Sequence, residues 1–180
     1  VVFQAKGMSQ AVTEIVDHSQ TQIFSLKLEK ILDQVNNACE SVTKTLNELG
    51  MTDPAMTKEY YDEAKKTVLA ELIAKYYNAS NSEFTNAKIY PFIIDQQCEV
   101  VVHPTLAVGE SLKGESFAEP LLAGKTGFNY EFKGENKYMF STSMPKWNWI
   151  ICFAVPETVV TEPVSTVQAK VHLLQMNITM

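Results

Sequence analysis

The first fifty residues contain no proline, and Gly7 and Gly50 are their only glycines. Apolar side chains recur at Val12, Val16, Ile23 and Leu26, with Ser19 in the same series, then at Leu28, Leu32, Val35, Cys39, Val42, Leu46 and Leu49. These intervals of three and four predict an amphipathic helix over 10–49, with a phase slip between Leu26 and Leu28 of the kind a supercoiled helix absorbs as a stutter. A helix of about 40 residues extends roughly 60 Å, far longer than one confined to a compact domain. Gly50 is a natural left-handed terminator.

After Gly50, Asp53 is placed to cap a second helix and Pro54 to occupy its first turn. That helix is expected to reach Tyr77, with Tyr61, Ala64, Val68, Leu72 and Tyr76 on one face. The polar stretch from Asn78 to Asn86 is a loop, and from Ala87 the period shortens. Runs rich in β-branched and aromatic residues follow at 89–95, 99–103, 128–132, 138–143 and 149–155. Gly134-Glu135 marks a hairpin turn and Pro145-Lys146 a second connection. The glycine-bearing segment between the second and third runs has room for one short helix or an irregular lid. Helical spacing returns after Pro156 at Val160, Val164, Val167, Val171, Leu174 and Ile178. The expected fold is therefore α+β, a five-stranded antiparallel sheet packed on a long N-terminal helix with a closing C-terminal helix. Its parts are the long helix at 1–50, a second helix and loop at 51–86, the sheet at 87–157 and the last helix at 158–180.

The formal net charge is −6, and all 15 basic residues are lysines. Without arginine the chain has no planar fork for phosphates or carboxylates, and an acidic surface repels nucleic acid, so that class of partner is excluded. The longest clean apolar run, Trp149–Val155, has seven residues, against roughly 18–20 for a bilayer span. Cys39, Cys98 and Cys152 are widely spaced, with no CxxC or His-Cys cluster, so neither a metal nor a cofactor is expected. Burial as small apolar side chains is their expected state, with one disulfide as the alternative.

Aromatic residues concentrate in the β region. Phe128, Tyr130 and Phe132 alternate along one strand, Tyr138 and Phe140 along the next, and Tyr90 and Phe92 along the first. If all shared one face of the sheet, it would present six or seven rings, either as core or as the wall of a pocket whose polar guest partners the phenols. His103, before Pro104, is either a structural strand-end histidine or a hydrogen-bond donor to a small polar ligand. Lys125, in Gly124-Lys125-Thr126-Gly127, lacks the context of a phosphate loop and is either a solvated lysine or an anion partner. Of Trp147 and Trp149, one is expected to fill the core and the other to cover an edge. Asp95 is placed to satisfy local backbone donors in a turn. No paired constellation for catalysis is present, so no enzymatic activity is expected.

The order of motifs resembles the extracytoplasmic Cache sensor domains. Phe92-Ile-Ile-Asp95-Gln-Gln-Cys98-Glu-Val-Val-Val-His103-Pro104 is followed by Gly109 and Leu112, then Gly127-Phe-Asn-Tyr130, then Trp147-Asn-Trp149-Ile-Ile. Cys98 stands where that family usually has glycine. The resemblance covers about 88–157 and implies a PAS-like sheet that holds a small-molecule ligand, a carboxylate or another small polar solute. It further implies the sensor portion of a transmembrane receptor of the methyl-accepting chemotaxis type, or of a histidine kinase or cyclase, lying outside the cytoplasm and joined to the membrane only through flanking spans. Tyr90, His103, Lys125, Tyr130, Tyr138, Phe140 and Trp147 are the expected ligand-binding residues. Pairing of two copies through the N-terminal helix is expected. The competing expectation is an extracellular structural or adhesion module whose rings are all core.

Overall fold

The computed structural model describes residues 2–78 and 89–160, with side chains from residue 22 onward. Helix α1 spans Val2–Glu48 and α2 spans Pro54–Tyr76. The turn between them is built as its sequence requires. Gly50 takes φ +59, its N–H bonds the Asn47 carbonyl at 3.1 Å, and the Met51 N–H reaches Leu46 at 2.9 Å. This doubly bonded ending satisfies carbonyls that a helix terminus otherwise leaves open. Asp53 then accepts the N–H groups of Ala55 at 2.8 Å and Met56 at 3.1 Å, with Pro54 in the first turn. Cross-bonds at Gln34–Glu71 (2.6 Å) and Thr43–Tyr61 (2.8 Å) fix the two helices antiparallel.

The buried stripe of α1 is Phe24, Leu28, Ile31, Val35, Cys39 and Leu46. It keeps three- and four-residue spacing without the expected slip, because Phe24 and not Leu26 precedes Leu28 in the core. Ile23 and Leu26, assigned to the stripe from spacing, are 43% and 50% exposed. On α2, Val68, Leu72 and Tyr76 are buried as expected, with Tyr61 and Ala64 packed beside them.

Five antiparallel strands follow: β1 Tyr90–Asp95, β2 Val100–Val102, β3 Gly127–Phe132, β4 Glu135–Met144 and β5 Trp149–Pro156. Their spatial order is β2-β1-β5-β4-β3. The last strand thus enters the centre, which explains its unbroken apolar sequence: Trp149 to Val155 are buried without exception. The connection from β2 to β3 carries one short helix, α3 (Ala118–Leu122). Between β3 and β4 the turn is Lys133-Gly134, both at positive φ (52 and 78), one residue earlier than expected, so Phe132 pairs with Glu135. A single turn of tighter helix, Pro145–Trp147, joins β4 to β5 through a left-handed Asn148.

Because strand side chains alternate, the sheet separates two cores. One face sends Ile93, Phe140, Met144, Ile151, Phe153 and Val155 against α1 and α2. The other sends Phe92, Ile94, Met139, Ile150, Cys152 and Ala154 against the segment that carries Leu112, Phe117, Ala118 and Leu121. All three cysteines are buried and free. Helix begins again at 157–160, and the rest of the expected closing helix lies outside the described residues, as does the 79–88 part of the polar loop. No helix among the described residues is long and apolar enough to cross a membrane.

Candidate ligand-binding site

The covering segment is tied down at several points. Leu112 N–H bonds Cys98 O (2.8 Å), Gly109 N–H bonds Val100 O (2.8 Å) and Val100 N–H bonds Glu110 O (2.9 Å). Ser116 Oγ donates to Glu131 O at 2.8 Å, fastening the segment to β3 at the far edge. The turn beneath it depends on Asp95, whose Oδ1 accepts Gln97 N–H and Glu99 N–H, each at 2.9 Å. Cys98 takes φ +61 there, a left-handed conformation that favours glycine, and its side chain is fully buried in the lid-side core.

Between segment and sheet, Tyr90, Phe92, His103, Leu106, Leu112, Phe117, Tyr130 and Phe132 enclose a cavity of about 10 Å³. That is room for one water. Its rings meet edge to face: His103 lies 5.1 Å from Tyr90 and 5.3 Å from Phe92, and Phe117 lies 5.2 Å from Tyr130 and 5.9 Å from Phe132.

The polar groups here share one character. His103 Nδ1 accepts the Thr105 and Leu106 N–H groups, each at 3.1 Å. The neutral imidazole therefore carries its proton on Nε2, which makes that atom a donor. Burial, helped by Lys137 and Lys133, pulls the His103 pKa down to about 4, so the ring is neutral near pH 7. Burial likewise pushes the Tyr90 and Tyr130 phenols up, so both keep their protons. Lys137 is the remaining group. Its side chain is 5% exposed, and its ammonium lies 3.3 Å from Tyr90 Oη and 3.9 Å from Glu135. The same ammonium lies 5.3 Å from the centre of the Tyr90 ring and 5.7 Å from that of Phe132.

Of the seven residues singled out from sequence, the structure brings Tyr90, His103 and Tyr130 together. Tyr138 and Phe140 lie on the helix-facing side, where Phe140 stacks on Phe24 at 5.4 Å. The expectation that one face carries all the rings is thus corrected. The register explains it: Tyr130 pairs with Lys137 and Phe128 with Met139, so odd-numbered β4 residues join the rings of β3. Trp147 is buried in the same helix-side core, and Lys125 is an exposed loop residue whose carbonyl accepts the Ser141 hydroxyl at 2.6 Å. Gly127 leaves space for Tyr138, since a Cβ there would stand 3.0 Å from the phenol oxygen.

Sequence reasoning passed over Lys137, although the signal was available. A two-residue hairpin loop always pairs an even position with an odd one, which puts Lys137 on the face of Tyr130.

In fold and motif order the chain is similar to the Cache sensor domains of chemotaxis receptors. A Cache chemosensory domain solved for its carboxylic acid recognition is 20% identical over 76% of this chain and 97% of its own, with a TM-score of 0.44. A methyl-accepting chemotaxis protein from Vibrio parahaemolyticus is 14% identical over 73% of this chain and 99% of its own, at TM-score 0.43. The ligand-binding domain of Mlp24, solved with asparagine, is 20% identical over 54% of this chain at TM-score 0.40; this chain spans 38% of its length. No family model and no curated protein matches the sequence.

Proposed function

We propose that this chain is the ligand-sensing domain of a transmembrane, chemotaxis-type receptor, and that it takes a small carboxylate between the ring-lined sheet face and the segment over it. One observation carries the reading: the three polar side chains that line the cavity, His103, Tyr90 and Tyr130, each offer a proton, and Lys137 borders it beside Tyr90, with Glu135 at 3.9 Å. His103 offers Nε2–H, Tyr90 and Tyr130 offer phenol protons, and Lys137 supplies the positive charge. Such a set is complementary to a group that only accepts, and a carboxylate is the commonest of these. Lys137 serves where an arginine fork is absent, as a point charge in a low-dielectric surround.

With room for one water, the cavity admits even acetate only when Leu106 or Phe117 moves outward. Ligand then favours the arrangement with the segment displaced, by no more than its difference in affinity between the two states. Movement of the sheet passes to α1, which contacts β4 and β5 directly. The sensor lies outside the cytoplasm, with the membrane reached through flanking spans. Ile23 and Leu26, exposed on α1, supply the apolar contact for pairing of two copies.

The small cavity favours a second reading, a structural module in which the rings are simply core. A thermal-shift screen against formate, acetate, propionate, lactate and pyruvate separates the two. A ligand present at 100 times its dissociation constant stabilises by about 2.7 kcal/mol. Sensing predicts a rise of several degrees for at least one acid, and no rise with any of them supports the structural module.

A further inference from the structure

We propose that the groove between α1, α2 and the Pro145–Trp147 turn is a second ligand site, specific for small anions with two or three carboxylates. The groove has a volume of about 580 Å³ and is bordered by Thr43, Lys58, Tyr61, Lys65, Lys146 and Trp147. Three ammonium groups face one carboxylate, Asp62, which is already engaged by Lys58. Among the described residues, neither Lys65 nor Lys146 is in an ion pair. Lys65 instead lies 5.9 Å from the centre of the Trp147 ring. The surplus of positive charge stands out on a chain whose net charge is −6.

A second, independent observation sits in the same wall. Trp147 is 4% exposed, and its indole Nε1–H is buried with no acceptor among the described residues. The Tyr61 and Thr43 hydroxyls beside it are already engaged, Thr43 donating to the Cys39 carbonyl at 2.8 Å and Tyr61 to Thr43 at 2.8 Å, which leaves the lysines as the groups for an anion. The two lysines without an ion pair come from different elements, α2 and the turn, so an anion with charges at both ends engages both where a monocarboxylate engages one. The volume, too, exceeds what a single small oxyanion fills.

This groove borders the helix-side core, across the sheet from His103, and is independent of the carboxylate reading made for that cavity. Trp147 lines the groove, and Trp149, the second tryptophan of the chain, meets it edge to face at 4.9 Å. Tryptophan emission therefore reports this groove. The test is a titration of the protein with citrate, acetate and inorganic phosphate, followed by emission at low and high salt. A saturable response to citrate, weaker at high salt, is expected, with at least a tenfold loss of affinity in the K65Q/K146Q variant and none in H103A. No saturable response, a response that K65Q/K146Q leaves intact, or equal affinity for phosphate would overturn the proposal.

Discussion

The two faces of the sheet are built from the same kinds of strand and differ in what they bury. Against α1 and α2, β5 sends Trp149, Ile151, Phe153 and Val155 into a core whose members are almost wholly apolar. Toward the lid the same strand sends Ile150, Cys152 and Ala154, smaller side chains, and the space they leave is shared by two phenols, an imidazole and a lysine. A face that needs only stability is filled with large hydrocarbon groups in contact with regular helices. The other is filled with groups that carry hydrogen-bond donors and is covered by an irregular segment held at a few backbone bonds. On the function proposed above, that contrast makes the lid side the site, because the donors gathered there are costly to bury unless a partner is provided.

The largest effect that would break the comparison is on the scaffold side. Phe153→Ala removes a fully buried ring that contacts Phe24 and Tyr76, and should cost about 3–5 kcal/mol in denaturant unfolding. A loss below about 1 kcal/mol would show the helix-side core to be loosely packed.

Next comes Lys137→Met on the site side. Glu135, the carboxylate 3.9 Å from the ammonium, is 45% exposed and stays solvated when an apolar group of similar length replaces the lysine, so the cost of burying the charge is removed without leaving a buried one behind. The variant should keep or raise its unliganded melting temperature and lose at least tenfold in carboxylate affinity, measured by calorimetry. Tyr138→Phe is its control from the opposite face and should leave affinity unchanged.

A third effect is on pH dependence. His103 binds its proton at about 4 in the folded protein against 6.5 for the ordinary side chain. Between those values the unfolded chain holds more protons, so stability falls as pH drops from 6.5 toward 4. Denaturant titrations at pH 7 and pH 5 should show that fall, and His103→Gln should reduce it. Smallest of all, Gly127→Ala places a methyl 3.0 Å from the Tyr138 oxygen and should cost under about 1 kcal/mol, with the cost shrinking in a Tyr138→Phe background if the contact is its cause.

Strand and helix positions were legible in the sequence because each rests on local chemistry. Asp53-Pro54 starts a helix, Gly50 ends one, and the β-branched and aromatic runs mark the strands within a few residues. What escaped was parity. Tyr138 and Phe140 look like natural partners for Tyr130 as rings, yet hairpin register sends them to the other core and brings in Lys137. In α1, Ile23 and Leu26 look equivalent to Phe24 by spacing alone, and only the packing against Phe140 and Phe153 decides for Phe24. The closeness of Leu106 and Phe117 to His103 depends on how the irregular segment folds back on β2, for which no periodicity exists to be read.

The function proposed for the lid-side face requires that it accept a carboxylate. Calorimetric titration of the wild-type chain and the Lys137→Met variant with acetate and propionate tests it directly. Saturable binding by the wild type that the variant loses, with its melting temperature retained, is the predicted result. Absence of binding by the wild type, or equal binding by both, would contradict it.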